Sequence, residues 1–224
     1  MQIFADWSER FTSYFSGFSE KLQEITNNFT SLFGLLGLGI IIIALLIFKK
    51  VKLDAKMITR IGLALALACI LQIFRIYHFP MGGSVTLGGM VPLLLIAFMY
   101  GPEVGMLSGF LYGLLNLFLD PYFVHPVQIL FDYPLPSLAI GLAGYFKDKP
   151  LVGTAVAFFT KFICHFISGL VFFGAYAADY GMNPWIYSFV VNAPMVASDA
   201  VICMVILAII PLKKLVSNKN YSNI

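Results

Sequence analysis

The sequence predicts an all-α, polytopic integral membrane protein with seven membrane-spanning helices, and three observations carry that prediction. Hydrophobic residues make up 60% of the 224 and charged residues only 11%, where a soluble domain carries roughly 25% charged. Apolar runs recur along the chain with short polar breaks, and lipid is the solvent that suits so much apolar surface. Basic residues fall into three clusters that seven crossings place on one side, as the positive-inside rule demands.

Residues 1–28 are mixed polar and aromatic and hold Asp6, Glu9, Glu20 and Glu24 where a signal peptide would be basic. The first strong apolar run, 32–48, has no small-residue cleavage site before Lys49-Lys50 and reads as a retained span. Further spans are expected at 57–77, 86–100, 104–119, 127–146, 151–176 and 186–211. Tyr100-Gly101-Pro102-Glu103 joins the third to the fourth as a tight turn. In the fourth, Gly105-xxx-Gly109-xxx-Gly113 aligns small residues on one face and reads as helix packing. Cys69, Cys164 and Cys203 sit in apolar runs without CxxC spacing, as small packing residues rather than metal ligands or a disulfide.

Lys49, Lys50, Lys52, Lys56 and Arg60 follow the first span, Lys147 and Lys149 the fifth, and Lys213, Lys214 and Lys219 the last. A plasma-membrane protein is expected, with these clusters and the C-terminus cytoplasmic and the N-terminal segment external. That segment has net charge −2, with Arg10 and Lys21 against its four acids. The external side then receives segments rich in aromatic, proline and polar residues. They place Tyr122, His125, Tyr133, Tyr176, Tyr180 and Tyr187 near one face, a concentration that suits a ligand site combined with an interfacial belt.

An ionisable side chain at mid-membrane costs about 2.5–3.5 kcal/mol on insertion scales, so each needs a partner or a function. Asp132 precedes Pro134 and Pro136 in Phe131-Asp132-Tyr133-Pro134-Leu135-Pro136. Two prolines free carbonyls and bend a helix, and such backbone is tolerated only against protein or a wet cavity, which Asp132 would line. Capping a broken helix is the alternative. His165 shares a helical face with Ser168, Gly169 and Phe172 and is either a hydrogen-bonded core residue or a ligand contact. Tyr187 and Asn192 lie about 140° apart on a regular helix, flanking rather than stacking. Asp199 follows Asn192 by seven residues on the same face, about 10 Å deeper; pairing with another bundle residue is one reading, and the sequence assigns it no role.

No GxxxxGK[ST] loop, metal-ligand pair or nucleophile elbow is present, and no long basic run. Nucleic acid is therefore not an expected partner, no cofactor or metal is expected, and any uphill transport must draw its energy from another subunit or an ion gradient.

Leu130-Phe131-Asp132-Tyr133-Pro134-Leu135, Gly141-Leu142-Ala143-Gly144-Tyr145-Phe146, Lys161-Phe162-Ile163-Cys164-His165-Phe166-Ile167-Ser168-Gly169 and Tyr187-Ser188-Phe189-Val190-Val191-Asn192 together resemble one family. It is the thiamine-specific substrate-binding (S) component of energy-coupling factor (ECF) transporters, of the ThiT/YuaJ type. The resemblance covers residues 55–212. It implies a six-helix S-component-like unit preceded by one extra transmembrane helix within residues 1–54 and followed by a basic tail, 213–224. It also implies capture of thiamine from outside, with a membrane coupling subunit and two cytoplasmic ATPase subunits as partners and no catalysis by this chain.

By the same resemblance Asp132 matches the acidic residue that grips the aminopyrimidine. Tyr133, His165, Tyr187 and Asn192 match its neighbours in the pocket, and Tyr122 an aromatic of the external loop. Asp132 is one methylene shorter than the family's glutamate, and Phe173 stands in place of a pocket tryptophan. The loop Phe79-Pro80-Met81-Gly82-Gly83-Ser84 lacks another tryptophan. Ala64 and Ala68 resemble the small-residue strip that docks on the coupling subunit, while internal packing is the other reading of two alanines four apart. The first span has no counterpart in the unit, so its removal is expected to leave ligand binding nearly unchanged. Two rival functions are an ion-coupled transporter with Asp132 or Asp199 carrying a proton, and an intramembrane enzyme using His165 with Ser168.

Overall fold

The computed structural model describes residues 30–79 and 83–212. The N-terminal segment, the basic tail and residues 80–82 of the first external loop lie outside them.

Uninterrupted apolar sequence gives helix α1, Thr30–Phe48. Helix α2, Ala55–Ile73, starts at Asp54, whose side chain accepts the Met57 N–H at 2.6 Å and so satisfies an otherwise orphaned donor. Later come α3 (Val91–Tyr100), α4 (Pro102–Leu119), α5 (Pro126–Asp132), α6 (Pro134–Ala139), α7 (Pro150–Phe172) and α8 (Pro184–Ile209). Each of these last five begins on a proline, where the missing N–H costs nothing. Among the described residues six segments are long and apolar enough to cross a membrane, one of them the composite Pro126–Phe146.

The structure departs from the expected spans at two places. The second ends at Ile73, and Arg75–His78 forms strand β1, paired antiparallel with β2, Ser84–Thr86. The third is helical only from Val91, and ten residues rise about 15 Å. Thr86–Met90 enters the bundle as strand and turn instead, with Gly88 at φ +81, a backbone that disfavours any other residue. This buried non-helical stretch is tolerated because its donors are met. Thr86 N–H reaches Asp199 Oδ1 at 3.2 Å and Gly89 N–H reaches Thr86 Oγ1 at 2.8 Å.

The fifth span breaks where its prolines stand. Tyr133 leaves helical geometry (φ −120, ψ −76) between α5 and α6, and Ile140–Phe146 continues as a 3-10 helix. Against this broken segment lies the glycine stripe of α4. A Cβ on Gly109 would collide with the Ser137 carbonyl, and one on Gly113 would sit 2.5 Å from the Tyr133 carbonyl. The stripe is therefore a packing device.

Ala68 is fully buried in the main core, and Ala64 packs with Ile61, Ile96 and Val104. The Ala64–Ala68 edge of α2 thus leans toward α3, with Ala68 buried and Ala64 partly so, which favours the internal-packing reading of this pair over the docking one. The outward small residues are Gly62, with open space around its Cβ position, and exposed Ala66.

Helix α1 is not a detached appendage. Phe33 and Ile41 join Val127, Phe131, Leu135, Cys164 and Ile167 in one apolar cluster, directly behind Asp132 and His165. This packing ties α1 to the stability of the bundle, a separate matter from the ligand binding that its removal is expected to leave nearly unchanged. A Cβ on Gly37 would lie 3.0 Å from Phe131, whereas Gly39 faces open space. Gly37→Leu is expected to destabilise the bundle by about 1–3 kcal/mol, as overpacking typically does. Gly39→Leu should change nothing. Thermal denaturation in detergent reads both, and equal midpoints would show that α1 contributes no stability at this contact.

Candidate ligand-binding site

One cavity opens among α4, α5, α6, α7 and α8. Its wall gathers Tyr122, Asp132, Tyr133, His165, Phe173, Tyr187 and Asn192, all seven pocket positions singled out in the sequence. Water-sized molecules can occupy about 100 Å³ of it.

Asp132 ends α5 at the proline break, which turns its carboxylate into the cavity rather than along a helix face. Oδ1 lies 3.4 Å from His165 Nδ1, and the two side chains are 19% and 12% exposed. Oδ2 accepts from Gln128 Nε2, one turn earlier. Fully buried Gln128 also donates to the Tyr122 carbonyl at 3.1 Å and accepts from Val124 N–H at 3.1 Å. It therefore locks the carboxylate to the 120–124 loop. Sequence reading overlooked Gln128, although its i, i+4 spacing from Asp132 was a usable signal.

The Tyr133 hydroxyl is already spent: it donates to the Asp120 carbonyl at 2.8 Å and accepts from Tyr122 N–H at 2.7 Å. Its contribution to a ligand is the ring, with the loop it holds. Tyr122 stacks on Phe173 at 5.9 Å and 25°, and Tyr180 stacks on Tyr187 at 5.7 Å and 30°. His125 instead caps α5, accepting from Val127 N–H, and stacks on Phe172. The aromatic concentration thus divides between cavity wall and supporting layer.

Asn192 stands opposite, its amide donating to the Ser188 carbonyl at 2.9 Å. Gly169 allows this approach, because a Cβ there would meet Asn192 Nδ2 at 2.7 Å and also collide with Ser188 Oγ. Asn116 also lines the cavity, and its buried Oδ1 has no hydrogen-bond partner among the described residues, so a ligand N–H placed there would satisfy a costly orphan.

At the mouth, Arg75 of β1 donates to Asp120 Oδ2 at 2.7 Å, with His78 Nδ1 3.6 Å from the same oxygen. At the far side, Asp199 takes Thr86 N–H and Thr86 Oγ1–H and lies 3.8 Å from Lys161 Nζ. The partner expected for Asp199 is thus Lys161, with Thr86 alongside.

A bundle with such a cavity defines the class, a multi-pass membrane protein with an internal pocket lined by polar and aromatic side chains. Comparisons with known proteins carry this further. The family model described as thiamine transporter protein (Thia_YuaJ) matches residues 58–219. The thiamine transporter ThiT of Bacillus subtilis (strain 168) is 35% identical over 169 residues, 67% of this chain and 87% of that protein. The thiamine transporter ThiT of Lacticaseibacillus paracasei is 28% identical over 142 residues, 54% and 70% of the two chains. The solved structure of ThiT from Listeria monocytogenes superposes with a TM-score of 0.63 at 23% identity, covering 70% of this chain and 93% of that one, a likeness of fold. The chain belongs to the Thia_YuaJ family of thiamine transporter proteins, the ThiT-type S components.

Proposed function

We propose that this chain captures thiamine in the Asp132–His165 cavity and hands it inward with a membrane coupling subunit and two cytoplasmic ATPases. The observation that carries the reading is the meeting of one oriented carboxylate, Asp132, with the Tyr122–Phe173 stack and Tyr187 in one cavity. The aminopyrimidine edge offers donors that a carboxylate can take in parallel once the ring nitrogen is protonated. Aromatic faces attract the thiazolium cation by about 0.5–2 kcal/mol each, according to desolvation. His165 and Asn192 then fix the ring's orientation. Tyr133 and Gln128 hold the loop and the carboxylate in place.

The proposed orientation puts the cavity mouth outside and the lysines inside. Arg60 donates to the Tyr100 hydroxyl at 2.8 Å, and Lys147 lies near Gly101, so basic groups gather at the end away from Arg75 and Asp120. The enzyme alternative finds little support, because Ser168 Oγ is buried without a hydrogen-bond partner among the described residues, where an activated nucleophile needs an adjacent base.

Titration calorimetry of the purified chain with thiamine tests capture, and absence of binding would refute it. Docking is assigned to the outward Gly62–Ala66 strip of α2, since close helix contact needs small side chains. Ala66→Trp is expected to keep thiamine binding in detergent and to abolish ATP-dependent accumulation in vesicles holding the full complex. Normal accumulation would remove the docking role, and uptake driven by a proton gradient without the ATPases would favour the ion-coupled alternative.

A further inference from the structure

A cavity for a permanent cation contains a second cation of the protein's own. Lys161 lies one helical turn before His165 on α7, lines the same cavity, and has a side chain only 13% exposed. Two positive charges sharing a poorly solvated space repel strongly. Asp199 is the group placed to cancel one of them. Its side chain is 3% exposed, and Oδ2 faces Lys161 Nζ at 3.8 Å. Oδ1 is anchored by Thr86 N–H at 3.2 Å and Thr86 Oγ1–H at 2.8 Å. These two hydrogen bonds fix the carboxylate in place independently of any ligand.

Resting on the thiamine reading above, we propose that Asp199 is a specificity-determining residue: it neutralises Lys161 so that the cavity accepts a cation and does not recruit an anion. Without that neutralisation, Lys161 becomes an anion site beside the ligand, and the preference between thiamine and its phosphate ester shifts. Asparagine suits the test, because its carbonyl can still accept both Thr86 donors while the charge is gone.

The experiment measures thiamine and thiamine monophosphate affinities by calorimetry at fixed ionic strength on the purified full chain. Asp199→Asn is expected to move the thiamine-to-monophosphate affinity ratio toward the monophosphate by roughly tenfold or more, through like-charge repulsion of the thiazolium. Lys161→Met combined with Asp199→Asn should restore the ratio to within about threefold of the parent, because the unbalanced ammonium is gone. Equal weakening of both ligands by Asp199→Asn would show a merely structural role and overturn the proposal. So would a double variant that fails to restore the ratio. If Asp199→Asn does not fold, Lys161→Met alone decides, since it must move the ratio away from the monophosphate, and an unmoved ratio overturns the idea. A parent chain that binds no thiamine would instead refute the capture reading itself.

Discussion

Asp132→Ala is expected to lose thiamine binding by roughly 30- to several-thousand-fold. Truncating one partner of a desolvated, charge-assisted pair costs about 2–5 kcal/mol, and about 1.4 kcal/mol is a factor of ten. The size follows from the local geometry. Gln128 holds one carboxylate oxygen and His165 stands 3.4 Å from the other, so removal leaves two polar groups facing an empty space as well as an ungripped ligand. Asp132→Asn keeps the shape, loses the charge, and should also weaken binding markedly. Calorimetry on the purified variants reads both. Binding by Asp132→Ala within about threefold of the parent would move the pocket elsewhere.

The largest structural effect is expected at Gly109. Its missing Cβ faces backbone, with Ser137 C at 2.8 Å and Leu138 Cα at 3.2 Å besides the Ser137 carbonyl oxygen. No side chain can rotate out of the way, so α4 and α6 must separate. Gly109→Val should therefore destabilise by about 3 kcal/mol or more, the upper end of overpacking costs. Thermal unfolding followed by size-exclusion chromatography in detergent checks this. A midpoint within a degree or two of the parent would show that α4 and α6 move apart freely, and that the proline-broken segment is not held by this contact. Because α6 follows Asp132 and Tyr133 directly, partial unfolding here should also cost ligand binding.

Much of the fold was legible in sequence because hydropathy is a residue-by-residue preference for lipid over water. The first, fourth, fifth and sixth spans match helices or helix series to within a few residues, and the Pro134–Pro136 pair marks the break that turns Asp132 inward. Legible too, by family resemblance rather than by spacing, were the seven residues that the fold brings to one cavity. The third span was misjudged as fully helical for a definite reason. Thr86–Met90 leaves helical geometry because Gly88 takes φ +81 and Thr86 is anchored by Asp199, 113 residues away along the chain.

The sequence alone determined the solvent and the chemistry available to a site, whereas the seven spans it predicts become six membrane-length segments and one ten-residue helix among the described residues. Only tertiary packing decided which chemistry meets. Ala64/Ala68 and Gly62/Ala66 obey the same i, i+4 rule and differ by two residues, about 200° of helix rotation. That is enough to turn one pair toward the core, Ala68 buried and Ala64 partly so, and to leave the other on the surface. Likewise Lys161 and Asp199 are two unrelated charges until α7 and α8 pack, and α1 is a plain apolar run until Gly37 rests on Phe131. Local pattern fixes what each residue prefers. The partner that satisfies the preference is chosen by which helix faces close on one another, a property no single segment contains.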